Sequence, residues 1–227
     1  MNISYYWERL LNKSLKDVVG TTTSVKTEEK VAALTFDDGP HPSNTPQLLD
    51  LLEEFNAKAT FFVIGEFAQE HPLIIDRIVS EGHELGNHTW SHKDLPKMTL
   101  GKVYKEIQSS SSVINTSYFR PPFGHQNIRT SLIAKVLGYK IVTWNFHLED
   151  WENRDSKWMF QKFKKNICPG SIVLLHDRTF EKEIINDDKT SLFEVLNKIF
   201  TTIDDYNFIT VSELLKDRIE NNKLWIK

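Results

Sequence analysis

Two adjacent carboxylates, Asp37 and Asp38 in ALTFDDGPHP (residues 32–41), close an apolar run and are followed at once by Gly39 and Pro40. Held side by side, their charges repel, so a bound cation would relieve the arrangement. NHTWSH supplies imidazoles that can share such a cation: His88 and His92 stand four apart, a spacing that brings two side chains to one face of a helical turn. Two surface histidines would show the same spacing, and a lone DDGP can be a turn with solvated carboxylates. Successive strand residues point apart, so one carboxylate of the pair can bind the cation while its neighbour stays free. Two histidines and one carboxylate leave coordination positions open, and in a catalytic zinc site such a position holds water whose pKa falls to roughly 7. The free carboxylate can take the proton of that water, and a separate acid is needed only for a poor leaving group such as an amine. His176 is the candidate acid; its alternative is a hydrogen-bonded histidine closing a buried strand. Zinc is the default divalent metal for these ligands, with cobalt, nickel or iron fitting the same side chains, and the facial site of non-haem iron oxygenases uses the same donor set.

The elements that must bring these residues together follow from periodicity. Short apolar runs alternate with amphipathic ones: KVAALTF, KATFFVI, HELGNHT, YFRPP, YKIVTWNF, SIVLLHD and FITV read as strands. Between them TPQLLDLLEEF, PLIIDRIVSEG, LGKVYKEIQSSSSVI, IRTSLIAKVLG, SKWMFQKFKKNI and SLFEVLNKIFTTI read as helices, the first with Thr45 capping and Pro46 in its first turn. About seven βα units predict an α/β fold with a parallel sheet, either a closed barrel or a doubly wound sheet. Asp37 and Asp38 end the first strand, His88 and His92 follow the third, Arg120 the fourth, Asp150 and Trp151 the fifth, and His176 and Asp177 the sixth. All are carboxyl ends, which in a parallel barrel form one rim where loops build the site.

Length and charge set the outer bounds. A chain of 227 residues can close one sizeable core, and 40% hydrophobic with 26% charged residues indicates a folded domain. Lys and Arg number 28 against 31 Asp and Glu, net −3, so no attraction to nucleic acid is expected. The one cysteine, Cys168, excludes an internal disulfide and reads as structural. No run reaches membrane-spanning length, and Glu8, Arg9 and Lys13 interrupt the opening where a leader would be apolar. The expected location is cytoplasmic as written, and extracellular or cell envelope if a leader has been removed. Oligomeric state is not specified by composition. Residues 20–30 are polar and read as loop.

TFDDGP, HTWSH, RPPFG, EDW and LLH occur here in the order seen in polysaccharide deacetylases of carbohydrate esterase family four, which the chain resembles from about Val31 to about Val211. The resemblance implies a distorted, TIM-like (β/α) barrel of about seven strands over residues 31–227, with 1–30 as an N-terminal extension. It implies that Asp38, His88 and His92 bind a divalent metal and that Asp37 is the catalytic base. Arg120 would hold Asp37 ionised, and the backbone N–H of Phe123, where the family commonly has Tyr, would help stabilise the oxyanion. Asp150 would orient His176 as the general acid, Trp151 would wall the groove, and Leu174 would pack the acetyl methyl. His41 stands near enough to contact substrate. One position departs from the pattern: the fourth motif often begins with aspartate, and this chain has His147 there. The activity implied is metal-dependent removal of N-acetyl groups from N-acetylhexosamine units of a glycan, peptidoglycan or chitin oligosaccharide. Alternatives are an O-acetyl esterase on a polymer such as acetylated xylan, and a catalytically silent glycan-binding relative.

Overall fold

Residues 19–152, 154–180 and 187–224 are described by the structure, a computed structural model. At its centre runs β2 (Val31–Asp37), buried along its whole length, as expected of a parallel strand covered on both faces. β2 lies between two parallel neighbours, β3 (Ala59–Val63) and β8 (Ser171–His176). Beyond β3 the order continues through β4 (Glu84–Asn87), β5 (Tyr118–Phe119) and β6 (Lys140–Ile141), all parallel. β7 (Phe146–His147) adds to β8 and β9 (Asn207–Phe208) to β2. The sheet then curls back on itself: the Thr143 N–H donates to the Thr22 carbonyl at 2.9 Å, setting β1 (Gly20–Lys26) against the end of β6 while β1 also pairs with β8. This is the distorted (β/α) barrel that the sequence led one to expect.

Helices cover the outside: α1 (Asn44–Glu54), α2 (Gly65–Glu70), α3 (Pro72–Ser80), α4 (Leu100–Ser110), α5 (Ile128–Val136), α6 (Ser156–Asn166), α7 (Thr190–Thr202) and α8 (Val211–Leu215). Leu48, Leu49 and Leu52 of α1, Phe163 of α6 and Val195, Leu196 and Ile199 of α7 are fully buried against Leu34, Phe36 and Phe61 of the sheet. Each such side chain contributes about 1.5–3 kcal/mol by leaving water, and Phe36 and Phe61 stack with centroids 5.3 Å apart.

Several expectations need correction. Residues 20–26 are a strand, not loop: the run TTTSV is β-branched, and its threonine hydroxyls find partners within the sheet, Thr21 on the Ile141 carbonyl and Thr23 on that of Asn221. β1 pairs antiparallel with the polar β10 (Ile219–Leu224), so these residues belong to the barrel and not to an extension. YKIVTWNF is two short strands, because the Val142 and Thr143 carbonyls between them accept from Arg120. FITV is also divided, with Thr210 capping α8 by accepting from the Glu213 N–H. Ser43, not Thr45, occupies the N-cap of α1, and the Thr45 hydroxyl accepts from the His41 N–H and donates to Asp177. Cys168 is exposed, its sulfur 3.3 Å from the Ser171 hydroxyl, and fills no core. Residues 1–18, including Glu8, Arg9 and Lys13, lie outside the described residues. Among the described residues no helix is long and apolar enough to cross a membrane.

Candidate active site

The carboxyl ends of β2 and β4 and the loop after β4 bring Asp38, His88 and His92 together. One ligand atom from each lies within 4.8 Å of the others, and all three residues are buried. Asp38 Oδ1 is 3.3 Å from His88 Nε2 and 3.1 Å from His92 Nε2. His88 Nδ1 contacts the Arg120 carbonyl at 2.8 Å, and a carbonyl only accepts, so Nδ1 carries the proton and Nε2 offers a lone pair. A lone pair facing a carboxylate oxygen at this range is repulsive unless a cation lies between them. The donor set therefore fits a divalent metal. Burial would push the Asp38 carboxyl up, and a cation between it and the two imidazoles would hold it ionised. Its second oxygen accepts from the Phe180 N–H at 3.2 Å.

Asp37 stands apart from this cluster. Its Oδ1 accepts from Arg120 Nη1 at 2.7 Å, and its Oδ2 is 3.8 Å from His88 Nε2. Arg120 is fully buried, and every side of its guanidinium is used. Nε donates to the Val142 carbonyl, Nη2 to that of Thr143 and Nη1 also to the Thr35 hydroxyl, at 3.0, 2.9 and 2.7 Å, while the Phe62 ring lies 4.0 Å below. Burial draws the guanidinium pKa down, and Asp37 opposes this; an arginine stays protonated regardless. The result is a fixed cation against one oxygen of Asp37, leaving the other to accept a proton.

Across the cleft, β8 ends at His176, whose N–H and Nδ1 both meet the Asp150 carboxylate, at 2.7 and 3.1 Å. Burial lowers the His176 pKa, but the Asp150 charge prevails and the imidazole sits above its ordinary value; Asp150, raised by burial, is drawn down by His176 to a net lowering. With Nδ1 engaged, Nε2 is the nitrogen available to substrate. Trp151 sets its ring edge-on to His176 at 5.1 Å. The cleft measures about 390 Å³ and is lined by Asp37, Asp38, His88, His92, His176 and, around them, Phe123, Trp151 and Leu174.

His41 does not line this cleft. Its buried ring accepts the N–H groups of Ser43 and Asn44 at Nδ1, 3.2 and 3.0 Å away, satisfying donors at the start of α1 that have no partner within the helix. Four lining residues escaped the functional reading of the sequence: Gly124, Trp144, Thr179 and Phe180. Phe180 packs on the His92 ring at 4.4 Å, and no motif of spacing announced it. Lys189, fully buried 3.9 Å from Asp150, was likewise missed.

The polysaccharide deacetylase family model matches residues 24–142, starting inside β1. A peptidoglycan-N-acetylglucosamine deacetylase of Bacillus cereus is 38% identical over 216 residues, covering 91% of this chain and 98% of that protein. A peptidoglycan-N-acetylglucosamine deacetylase of Listeria monocytogenes is 35% identical over 222 residues, covering 95% of this chain and 45% of the relative, so the chain spans less than half of that longer protein. Among solved structures, a peptidoglycan N-acetylglucosamine deacetylase crystallised with a naphthalenyl N-oxidanyl-benzamide matches with a TM-score of 0.79 at 29% identity, over 88% of this chain and 94% of that one. The chain belongs to the polysaccharide deacetylases of carbohydrate esterase family four.

Proposed function

We propose that the protein is a metal-dependent hydrolase that removes acetyl from N-acetylhexosamine units of a glycan, peptidoglycan or chitin oligosaccharide, leaving a free amine and acetate. One observation carries this reading. Asp37 is locked by Arg120 at 2.7 Å, yet stands outside the Asp38, His88 and His92 cluster beside it. Asp38, His88 and His92 would hold a divalent cation, zinc by default, which would supply Lewis acidity toward water and the acetamide oxygen. The remaining tasks fall to the chain. Asp37 accepts the proton of the attacking water, and the Phe123 N–H donates to the oxyanion of the tetrahedral intermediate. His176 then passes its Nε2 proton to the departing nitrogen, with Asp150 fixing the tautomer from the other side.

The test is acetate release by metal-loaded protein from peptidoglycan and from chitin oligomers, measured side by side. Asp37→Asn should retain bound metal and lose activity by about 10²–10⁴-fold, the range for a general base; unchanged turnover would refute the assigned base. His176→Ala should lose far more activity on the amide than on an activated acetate ester, because an alkoxide leaves with less help. Equal losses would count against His176 as the general acid, and no release from either glycan would favour the silent reading.

A further inference from the structure

We infer that Phe180, which belongs to none of the sequence motifs, is a positioning residue for the metal: its backbone N–H fixes one oxygen of Asp38 and its ring braces His92. The inference deepens the metal reading above and rests on it. The three ligands are supported unequally. His88 is oriented through its far nitrogen, which donates to the Arg120 carbonyl at 2.8 Å, the usual means of holding a metal-binding imidazole. His92 has no such support. Its Nε2 faces Asp38 Oδ1 at 3.1 Å, whereas its Nδ1 is buried and meets no hydrogen-bond partner among the described residues. With Nε2 turned to the metal, Nδ1 carries a proton that no acceptor takes, so packing and not hydrogen bonding must hold this ring.

Two rings supply that packing. Phe180 lies 4.4 Å from the His92 ring with the planes 37° apart, and Phe123 lies 4.6 Å away at a steep 62°. Phe123 is 46% exposed and Phe180 half-buried, so Phe180 is the firmer wall. The same residue acts on a second ligand. Its N–H donates to Asp38 Oδ2 at 3.2 Å, which leaves Oδ1, the oxygen facing both imidazoles, as the one turned to the cation. Phe180 is itself held in place. Between it and the end of β8, Asp177 accepts from the Thr45 hydroxyl, and the Arg178 guanidinium stacks on Phe67 of α2 at 3.5 Å. Thr179 donates its N–H to Asp187 at 2.7 Å and accepts from Lys189 at 2.8 Å. The segment after β8 thus bears on ligands that come from β2 and from the loop after β4.

The experiment measures zinc affinity of the full chain by competition with a chromogenic chelator, with melting temperatures taken without and with zinc. Phe180→Ala removes the brace and keeps the N–H, so its zinc dissociation constant should rise about 10-fold or more, the range for groups that support metal ligands. Its metal-free melting temperature should stay near that of the wild type, and the increase on adding zinc should shrink. Phe180→Leu, which refills most of the volume and so protects the fold, should lose affinity in the same direction and by less. At zinc concentrations above the weakened constant, Phe180→Ala should recover acetate release to within a few fold of the wild type, because the residue positions the ion and takes no part in the chemistry. Zinc constants unchanged in both variants overturn the inference and leave the metal reading intact. A loss of metal-free stability as large as the loss with zinc overturns it too, since the ring would then be ordinary packing. A wild-type protein that binds no zinc overturns the metal reading and this inference together.

Discussion

Asp37 and Asp38 have identical side chains and adjacent positions, yet the fold separates their tasks by what each oxygen touches. Asp38 faces two imidazoles, whereas Asp37 faces a buried guanidinium and keeps one oxygen for a proton. The same logic sets His176 against Asp150. His176 titrates above the ordinary imidazole value because the Asp150 charge outweighs burial, so it stays protonated into pH above its usual range. Amide hydrolysis should therefore fall as pH rises through that elevated pKa, where the acid loses its proton. Asp150→Asn removes the charge and leaves burial, which lowers the pKa, so the alkaline limb of kcat/KM should move to lower pH with a reduced maximum. A pH–rate profile with its limb unmoved would count against the pairing. At this scale the sequence was informative where a residue type has few other uses. The His88 and His92 spacing and the carboxylate pair suggested a shared cation, but the two histidines lie in a loop with left-handed residues at Thr89 and His92 and not on the helical turn that the spacing had implied. Asp150 and Arg120 drew their roles from the resemblance alone. His41 misled because a histidine near a site reads as a ligand or contact, and only the structure reveals it capping α1.

The elements carry the site through strained loops and close approaches. Asp38, Thr89, His92 and Phe123 all adopt left-handed backbone, four of the seven non-glycine residues that do so among the described ones. Such conformations cost about 1–3 kcal/mol each, and here they turn the chain sharply after β2, β4 and β5 so that side chains meet. β4 contributes a different device. Gly86 pairs with Phe62 across the sheet, and a Cβ there would overlap the Phe62 ring, which lies beneath Arg120. Gly86→Ala should push that ring into the guanidinium. Overpacking of this kind costs about 1–3 kcal/mol, so the melting temperature should drop by several degrees and acetate release should fall with it as Arg120 leaves Asp37. A calorimetric scan and an acetate assay check both; an unchanged melting temperature would show that Phe62 can yield. Parallel strands such as β2 and β8 were plain in the sequence because both faces are apolar. β1 was hidden by threonines that look solvated until their hydroxyls are seen bonding within the sheet, and β10 by an exposed polar run with no hydrophobic period at all.

For the whole molecule, the parallel barrel explains how residues as far apart as Asp37 and His176 share one cleft: every motif ends a strand or follows one, and the ends converge on one rim. That convergence was legible from the order of strands and helices. What was not legible is how the ring closes, because closure depends on a single bridge from Thr22 to Val142 and on an antiparallel pair between segments nearly two hundred residues apart. In that pair Gly20 faces Leu224. The first and last strands among the described residues are thus zipped side by side, and a chain spanning residues 20–224 can be rejoined there and cut elsewhere without changing its three-dimensional order. A circular permutant with a short linker bridging these strands and new ends between the exposed Ser111 and Ser112, far along the chain from every site residue on β2 and β8, should melt cooperatively and keep its acetate release. Loss of folding in that permutant would mean that the seam needs its native connectivity to assemble. Retention would make the barrel a cassette whose two ends enter and leave by one door.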